Sequence, residues 1–383
     1  MKKDNALNQH RSKVETVLAM QAGGSLGAYE CGVCKSLARH GVKFDIIAGT
    51  SIGAVNATII AAGYDQENGI SESVKTLEDF WLDMAENFTP SFFPYKQRAY
   101  MAAAYTLTYG NARSFTPIWF IQGGLPYYYL LNSPYLYSTV QLKETLKKYI
   151  DFRKLNSTIK NTLHDDDKLP RLILTSTNIQ KAETVVFDSN NTNITVEQVA
   201  ASAGYGVYGI SWEKIDGSYL WDGSLSHSTP LMAVVNASPK HPKRIYVSDV
   251  FPKTQEKLPG NMYESLHRIR DILFTDKSLR EIVKSSDIIK KHFKVMERMH
   301  RILSTTKLEG SAKSEFEELE EEFNDIIEER GRIIDKIIHI ERKEDPDHHF
   351  LFEDADFSSA TIKQQIKEGE VDAEAALAEK KEP

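Results

Sequence analysis

The apolar positions of this chain follow a strand rhythm first and a helical rhythm later. Thr16-Val17-Leu18-Ala19-Met20-Gln21 is a short apolar run, the pattern of a strand buried on both faces. It runs into Ala22-Gly23-Gly24-Ser25-Leu26-Gly27, after which Ala28, Val33, Leu37 and Ala38 recur at helical spacing. A second apolar run, residues 44–48, leads through Gly49-Thr50-Ser51-Ile52-Gly53 into small residues at helical positions over 54–62. Residues 171–177, 184–187 and 244–251 read as further strands, with Val247 and Val250 facing a core. Strands alternating with helices predict an α/β fold with parallel neighbours.

From Met262 the period lengthens. Leu266, Ile269, Ile272 and Leu273 keep helical spacing, then Ile282, Ile288, Ile289 and Phe293. A break over 305–314 precedes Phe316, Leu319, Phe323, Ile326, Ile327, Ile333, Ile334, Ile337 and Ile338, a second apolar stripe on an acidic helix. Two such stripes predict antiparallel helices packed on each other, or on another subunit of a homo-oligomer. The acidic run 315–322 is expected to be a solvated face. The charged, alanine-rich stretch from 368 to the end is expected to fray.

Between these regimes, residues 88–137 carry fifteen aromatic residues, among them Phe88, Phe92, Tyr100, Tyr105, Tyr109, Phe115, Trp119, Phe120, Tyr127 to Tyr129 and Tyr137. The segment has no regular period. Its place after the second turn lets it cover a crevice. An acyl-chain pocket, a lipid-contacting lid and ordinary packed core all suit amphipathic aromatics.

The two glycine-rich turns carry the candidate chemistry. A serine in G-x-S-x-G between strand and helix is held in strained backbone with its hydroxyl exposed, which suits attack on an acyl carbonyl. The plainer reading is a glycine-rich turn with an incidental serine. Glycines between the first strand and its helix leave backbone N–H groups free to face an anion, either a phosphate or an oxyanion. A dinucleotide site would want an acidic residue after the second strand, but Asp45 lies at that strand's start. Two loops at the carboxyl ends of adjacent strands, one supplying donors and one a serine, favour acyl transfer.

Such a serine needs a proton acceptor. Asp216-Gly217 reads as a hairpin turn. Trp221-Asp222-Gly223-Ser224 ends a strand-like run, so Asp222 is a candidate base for Ser51. It would need a water-poor setting that raises its pKa. An α/β-hydrolase triad would use a histidine instead. His227, His241 and His267 have the right order in the chain, but none stands in a setting that marks a base.

Together, A-G-G-S-L-G at 22–27, G-T-S-I-G at 49–53 and D-G-S at 222–224 resemble the patatin-like phospholipases in order and spacing. Ala28-Tyr29, Gly32-Val33, Asn56-Ala57, residues 142–146 and Pro230 extend the resemblance over about 14–250. It implies a three-layer α/β/α fold with a largely parallel central sheet, a Ser-Asp dyad and no metal or other cofactor. Carried over, Ser51 is the nucleophile and Asp222 the base. Gly23, Gly24 and Ser25 fall at the oxyanion donors, and Gly27, Gly49, Gly53 and Gly223 support the turns. Ala22, Ser224 and Leu26 depart from the usual Gly, Gly/Ala and basic residue. Residues 356–373 resemble the C-terminal segment of a bacterial subgroup. The implied organisation is a flexible terminus (1–13), a hydrolase domain (14–260) with an aromatic insertion (88–137), a helical C-terminal region (261–369) and a flexible tail (370–383).

Composition narrows the classes. The 383 residues hold 47 basic and 54 acidic side chains, for a net charge of −7. That balance, without a basic patch, argues against nucleic-acid binding. The only cysteines, Cys31 and Cys34, sit one helical turn apart without a second pair, so they read as small buried thiols and fit a reducing compartment. No apolar leader or membrane-spanning run is found, so a cytoplasmic protein with at most peripheral membrane contact is expected. The expected activity is hydrolysis of a carboxylic ester of a phospholipid or related acyl lipid. A catalytically weak relative acting by binding a partner is the alternative. A nicotinamide-dependent oxidoreductase rests on the first glycine turn alone.

Overall fold

The computed structural model describes residues 13–87, 92–119, 132–161, 169–238, 241–255, 257–275, 278–306, 309–328, 334–343 and 352–378. Phe88, Phe120, Tyr127 to Tyr129, the first twelve residues and residues 379–383 lie outside these ranges. The elements in order are β1 (Glu15–Met20), α1 (Gly27–Arg39), β2 (Ile46–Thr50), α2 (Ile52–Ala62), α3 (Ser71–Met84) and α4 (Tyr95–Tyr109). Then come β3 (Thr116–Pro117), β4 (Tyr137–Ser138), α5 (Val140–Tyr149), α6 (Phe152–Asn161), β5 (Arg171–Asn178), β6 (Glu183–Asp188), α7 (Val196–Ser202), β7 (Glu213–Ile215) and β8 (Ser218–Asp222). The chain continues with α8 (Leu231–Ala237), β9 (Lys243–Asp249), α9 (Met262–Phe274), α10 (Ser278–Thr305), α11 (Ser311–Glu328), β10 (Ile334–Glu341) and α12 (Ser359–Ala378).

Two compact units result. The larger comprises residues 18–230, 246–276 and 338–383, and the smaller 1–17, 231–245 and 277–337. The fold class is the α/β one expected. The main sheet has the order β10-β9-β1-β2-β5-β8-β7, with β6 also on β5. β2 and β5 run parallel, with Thr50 opposite Thr175. Beyond β5 the sheet turns antiparallel, through β6, β8 and β7. Asp216 and Gly217 both have positive φ, 48° and 80°, as a two-residue hairpin turn between β7 and β8 requires.

In the larger unit, α2 is buried along its whole length from Ile52 to Ala61. A helix that is apolar or small on every side belongs inside a core. Helices α1 and α12 touch backbone to backbone. A methyl on Gly32 would lie 1.9 Å from the Ile366 carbonyl oxygen, and one on Gly369 2.0 Å from that of Tyr29. Arg39 adds ion pairs to Glu370 and Glu374. Residues 368–378, part of the stretch whose composition suggested fraying, are therefore helical and belong to the helix packed on α1, while residues 379–383 lie outside the described residues. Residues 370–378 are the packed last turns of α12.

The aromatic segment is more regular than its sequence implies, because α4 occupies its first half. Its side chains divide. Trp119 is buried with its ring 5.2 Å from Tyr137, whereas Phe92, Tyr100, Tyr105 and Tyr109 are exposed. In the smaller unit the His300 ring stacks on Phe316, so α10 and α11 fold back on each other. The expected second helix ends early. Isoleucines at 333, 334, 337 and 338 fit helical spacing, but β-branched residues also suit a strand, and residues 338–341 alternate buried and half-buried. Ile334, Ile337 and Ile338 take the sheet edge beside β9, and Ile333 lies outside the described residues. Among the described residues, no helix is long and apolar enough to cross a membrane.

Candidate active site

The G-x-S-x-G turn joins β2 to α2, and its strain falls on the serine. Ser51 adopts φ 59° and ψ −126°, a conformation that costs a non-glycine residue about 1–3 kcal/mol. Its neighbours are glycines because there is no room for a side chain. A methyl on Gly49 would lie 2.1 Å from the Gly53 oxygen, and one on Gly53 2.6 Å from that of Met20. Ser202 holds the strained turn from beneath. Its hydroxyl donates to the Thr175 carbonyl at 2.6 Å and accepts the Ser51 N–H at 3.0 Å.

Asp222 ends β8, opposite Ser176 of β5, which brings it to the elbow. The Ser51 hydroxyl donates to Asp222 Oδ2 at 2.5 Å, and the Ser224 N–H donates to Oδ1 at 2.8 Å. Gly223 allows this approach, since a methyl there would meet the Thr175 oxygen at 2.4 Å. Asp222 is fully buried. Burial pushes its carboxyl up from 3.8 to about 6, and the bonds from Ser51 and Ser224 restrain that rise. Ser224, a departure from the usual motif, thus supplies a backbone donor to the carboxylate.

The first glycine turn lies beside the elbow. Gly24 has φ +55°, whereas Gly23 is extended at φ 171°. A methyl on Gly27 would sit 2.6 Å from Ile52 Cγ1, so this glycine keeps α1 close to α2. Among the described residues, no acceptor takes the N–H of Gly23, Gly24 or Ser25. Ala22 is different. Its N–H donates to the Ser228 carbonyl at 2.9 Å, and it does not have positive φ, so its methyl strains nothing. Behind the turn, buried Glu30 accepts the Gln21 N–H and Asn56 Nδ2. Burial pushes Glu30 up to about 8.

A cavity of about 80 Å³ opens on Ser51, Gly23, Gly24 and Ser224. That is space for roughly six water-sized groups. Its apolar walls include Val55, Met84, Phe115, Leu142, Phe251 and Phe357.

The three histidines stand elsewhere. His227 is exposed beside Thr184, and His241 belongs to the smaller unit. His267 is buried rather than solvated, because it joins Asp271 and Glu353 in a charged cluster. The three side chains are close enough to hold a metal. The cation among them is Arg270, which donates to Asp271 Oδ1 at 2.8 Å and Glu353 Oε1 at 2.7 Å. Cys31 and Cys34 are buried free thiols.

Sequence reasoning missed Ser202, Arg270 and the acidic pair Glu353-Asp354. Ser202 sits in the bland Ala200-Ala201-Ser202-Ala203-Gly204, and Arg270 and Glu353 lie 46 and 129 residues past Ser224, the end of the D-G-S motif.

An elbow-borne serine bonded to a buried aspartate beside a donor-rich turn defines a hydrolase-like α/β protein. The Patatin-like phospholipase family model matches residues 18–235, and the chain belongs to that family. At the level of the family, this supports a lipid acyl hydrolase. Two solved structures are similar. VipD from Legionella pneumophila is 14% identical at a TM-score of 0.40, with 96% of this chain and 67% of that one covered. The type III effector protein ExoU is 11% identical at 0.32, with 96% and 53% covered. This chain thus spans about half the length of ExoU.

Proposed function

We propose that this protein hydrolyses carboxylic esters of phospholipids or related acyl lipids through an acyl-Ser51 intermediate, with Asp222 as the base. The observation that carries this reading is the 2.5 Å bond between Ser51 Oγ and Asp222 Oδ2 at the mouth of an apolar cavity. As Ser51 Oγ attacks the ester carbonyl, its proton passes to Asp222. A base near 6 accepts that proton more readily than an exposed carboxylate would. The oxyanion that forms takes the N–H groups of Gly23, Gly24 and Ser25. Protonated Asp222 then returns its proton to the leaving alkoxide. Water, deprotonated by the same carboxylate, releases the acid and regenerates Ser51. Exposed Phe92, Tyr100, Tyr105 and Tyr109 support contact with a lipid surface at the protein's periphery.

Fluorophosphonate labelling read by mass spectrometry tests the assignment. One adduct on Ser51, absent in Asp222→Asn, is expected. An unlabelled Ser51 in folded protein would favour a non-catalytic relative.

A further inference from the structure

The donor turn is gripped by a segment more than three hundred residues away. The Ser25 hydroxyl donates to the Glu353 carbonyl at 3.0 Å. Gly24 lies so close to the next residue that a methyl on it would stand 2.3 Å from the Asp354 oxygen. Gly24, which lines the cavity, and Ser25 next to it both carry N–H groups with no acceptor among the described residues, and both are therefore seated on the backbone of Glu353 and Asp354. Side chains fix that backbone in turn. Arg270 donates to Glu353 Oε1 at 2.7 Å and Asp354 Oδ1 at 2.9 Å, and the Tyr208 hydroxyl donates to Asp354 Oδ2 at 2.8 Å. Arg342 adds a second guanidinium on Glu353. The Arg270 guanidinium also lies 5.3 Å from the centre of the Phe251 ring, a wall of the cavity. Further along, the Phe357 carbonyl accepts the Glu86 N–H at 2.8 Å, which pins the segment to the end of α3.

We propose that residues 353–357, locked by Arg270, are a clamp that positions the oxyanion turn, with Asp354 and Arg270 as positioning residues. The proposal rests on the hydrolase reading for its consequence, though not for its geometry. It takes the working site past residue 235, where the family match ends. Planar guanidinium geometry is what the arrangement uses. A lysine at 270 keeps the charge but cannot span both carboxylates.

The test compares the wild-type chain with Asp354→Asn, Arg270→Lys and Ser25→Ala, using Lys75→Ala as a surface control. Ser25→Ala leaves every buried charge in place, so it stays informative if Arg270→Lys fails to fold. Hydrogen exchange of the peptide covering residues 22–27 should quicken about tenfold in each folded variant. Labelling of Ser51 by a fluorophosphonate should slow by about the same factor, because a displaced donor turn no longer stabilises the attacked phosphorus centre. Lys75→Ala should change neither. Unchanged exchange in both Ser25→Ala and Asp354→Asn would overturn the clamp, whatever their melting temperatures. A wild type that does not label would instead sink the hydrolase reading, and the exchange measurement would still decide the clamp.

Discussion

Two glycine-rich turns meet at this site, and they are held in opposite ways. The β2–α2 elbow keeps its strain on Ser51, at φ 59°, and is supported by Ser202 and Thr175 on neighbouring core elements. The β1–α1 turn places its positive φ on Gly24 and leans on Glu353 and Asp354, near the far end of the chain. On the proposed mechanism a nucleophile must sit at one point, which a turn built from tight core contacts provides. On the same mechanism the donors face a charge that exists only in the transition state, so their turn can be set by a separate clamp.

The largest expected effects separate the two turns. Ser51→Ala and Asp222→Asn should each lower kcat by several orders of magnitude, and the double variant should be little worse than either, because the pair acts as a unit. Additive losses would deny the dyad. Gly24→Val should cost about 10²–10³ in kcat, the scale of a lost oxyanion donor. It should also lower the melting temperature, since its Cβ would meet the Asp354 oxygen at 2.3 Å. Ser202→Ala should slow labelling of Ser51 while leaving KM within about twofold. An equal loss of KM and kcat there would mean that Ser202 only packs.

The elbow could be read in the sequence because its causes are local. Glycine spacing, a strand before and a helix after all lie within twenty residues. Asp222 needed the wider resemblance, since an Asp-Gly after a strand is ordinary, as the Asp216-Gly217 hairpin shows. The clamp could not be read. Glu353-Asp354 and Arg270 stand more than eighty residues apart in the sequence, and only the tertiary fold buries them together. The strand β10 was hidden for another reason. Four isoleucines fit either period, and the sheet edge decided between them.

A smaller effect concerns pH. Burial lifts the Asp222 carboxyl from 3.8 to about 6, so kcat/KM should fall as pH drops below about 6 and the base is protonated. Stability should move the other way. A folded-state pKa above the unfolded value stabilises the protein fully below the unfolded pKa, and that contribution is lost as pH rises through the folded one. The loss is at most about 3 kcal/mol. Asp222→Asn has no charge to bury. It should therefore melt a few degrees above wild type near pH 8, and the gap should close near pH 4. A variant that melts below wild type at both pH values would mean that the carboxylate is not buried at a cost.

The smallest effect asks whether the two regions share one cavity. Phe115 belongs to the aromatic segment that follows the elbow, Phe357 to the clamp, and both line the same space. If an acyl chain fills it, either alanine substitution removes a wall that the later methylenes touch. Each buried methylene is worth up to about 0.8 kcal/mol, so the ratio of kcat/KM for long over short esters should fall severalfold in both. Trp119 provides the contrast. It is buried and packs on Tyr137, away from the cavity lining. Trp119→Ala should lower the melting temperature and leave the ratio unchanged. A ratio that falls in Phe115→Ala but not in Phe357→Ala would confine the acyl site to the elbow's side, and the clamp would then act on the donor turn alone.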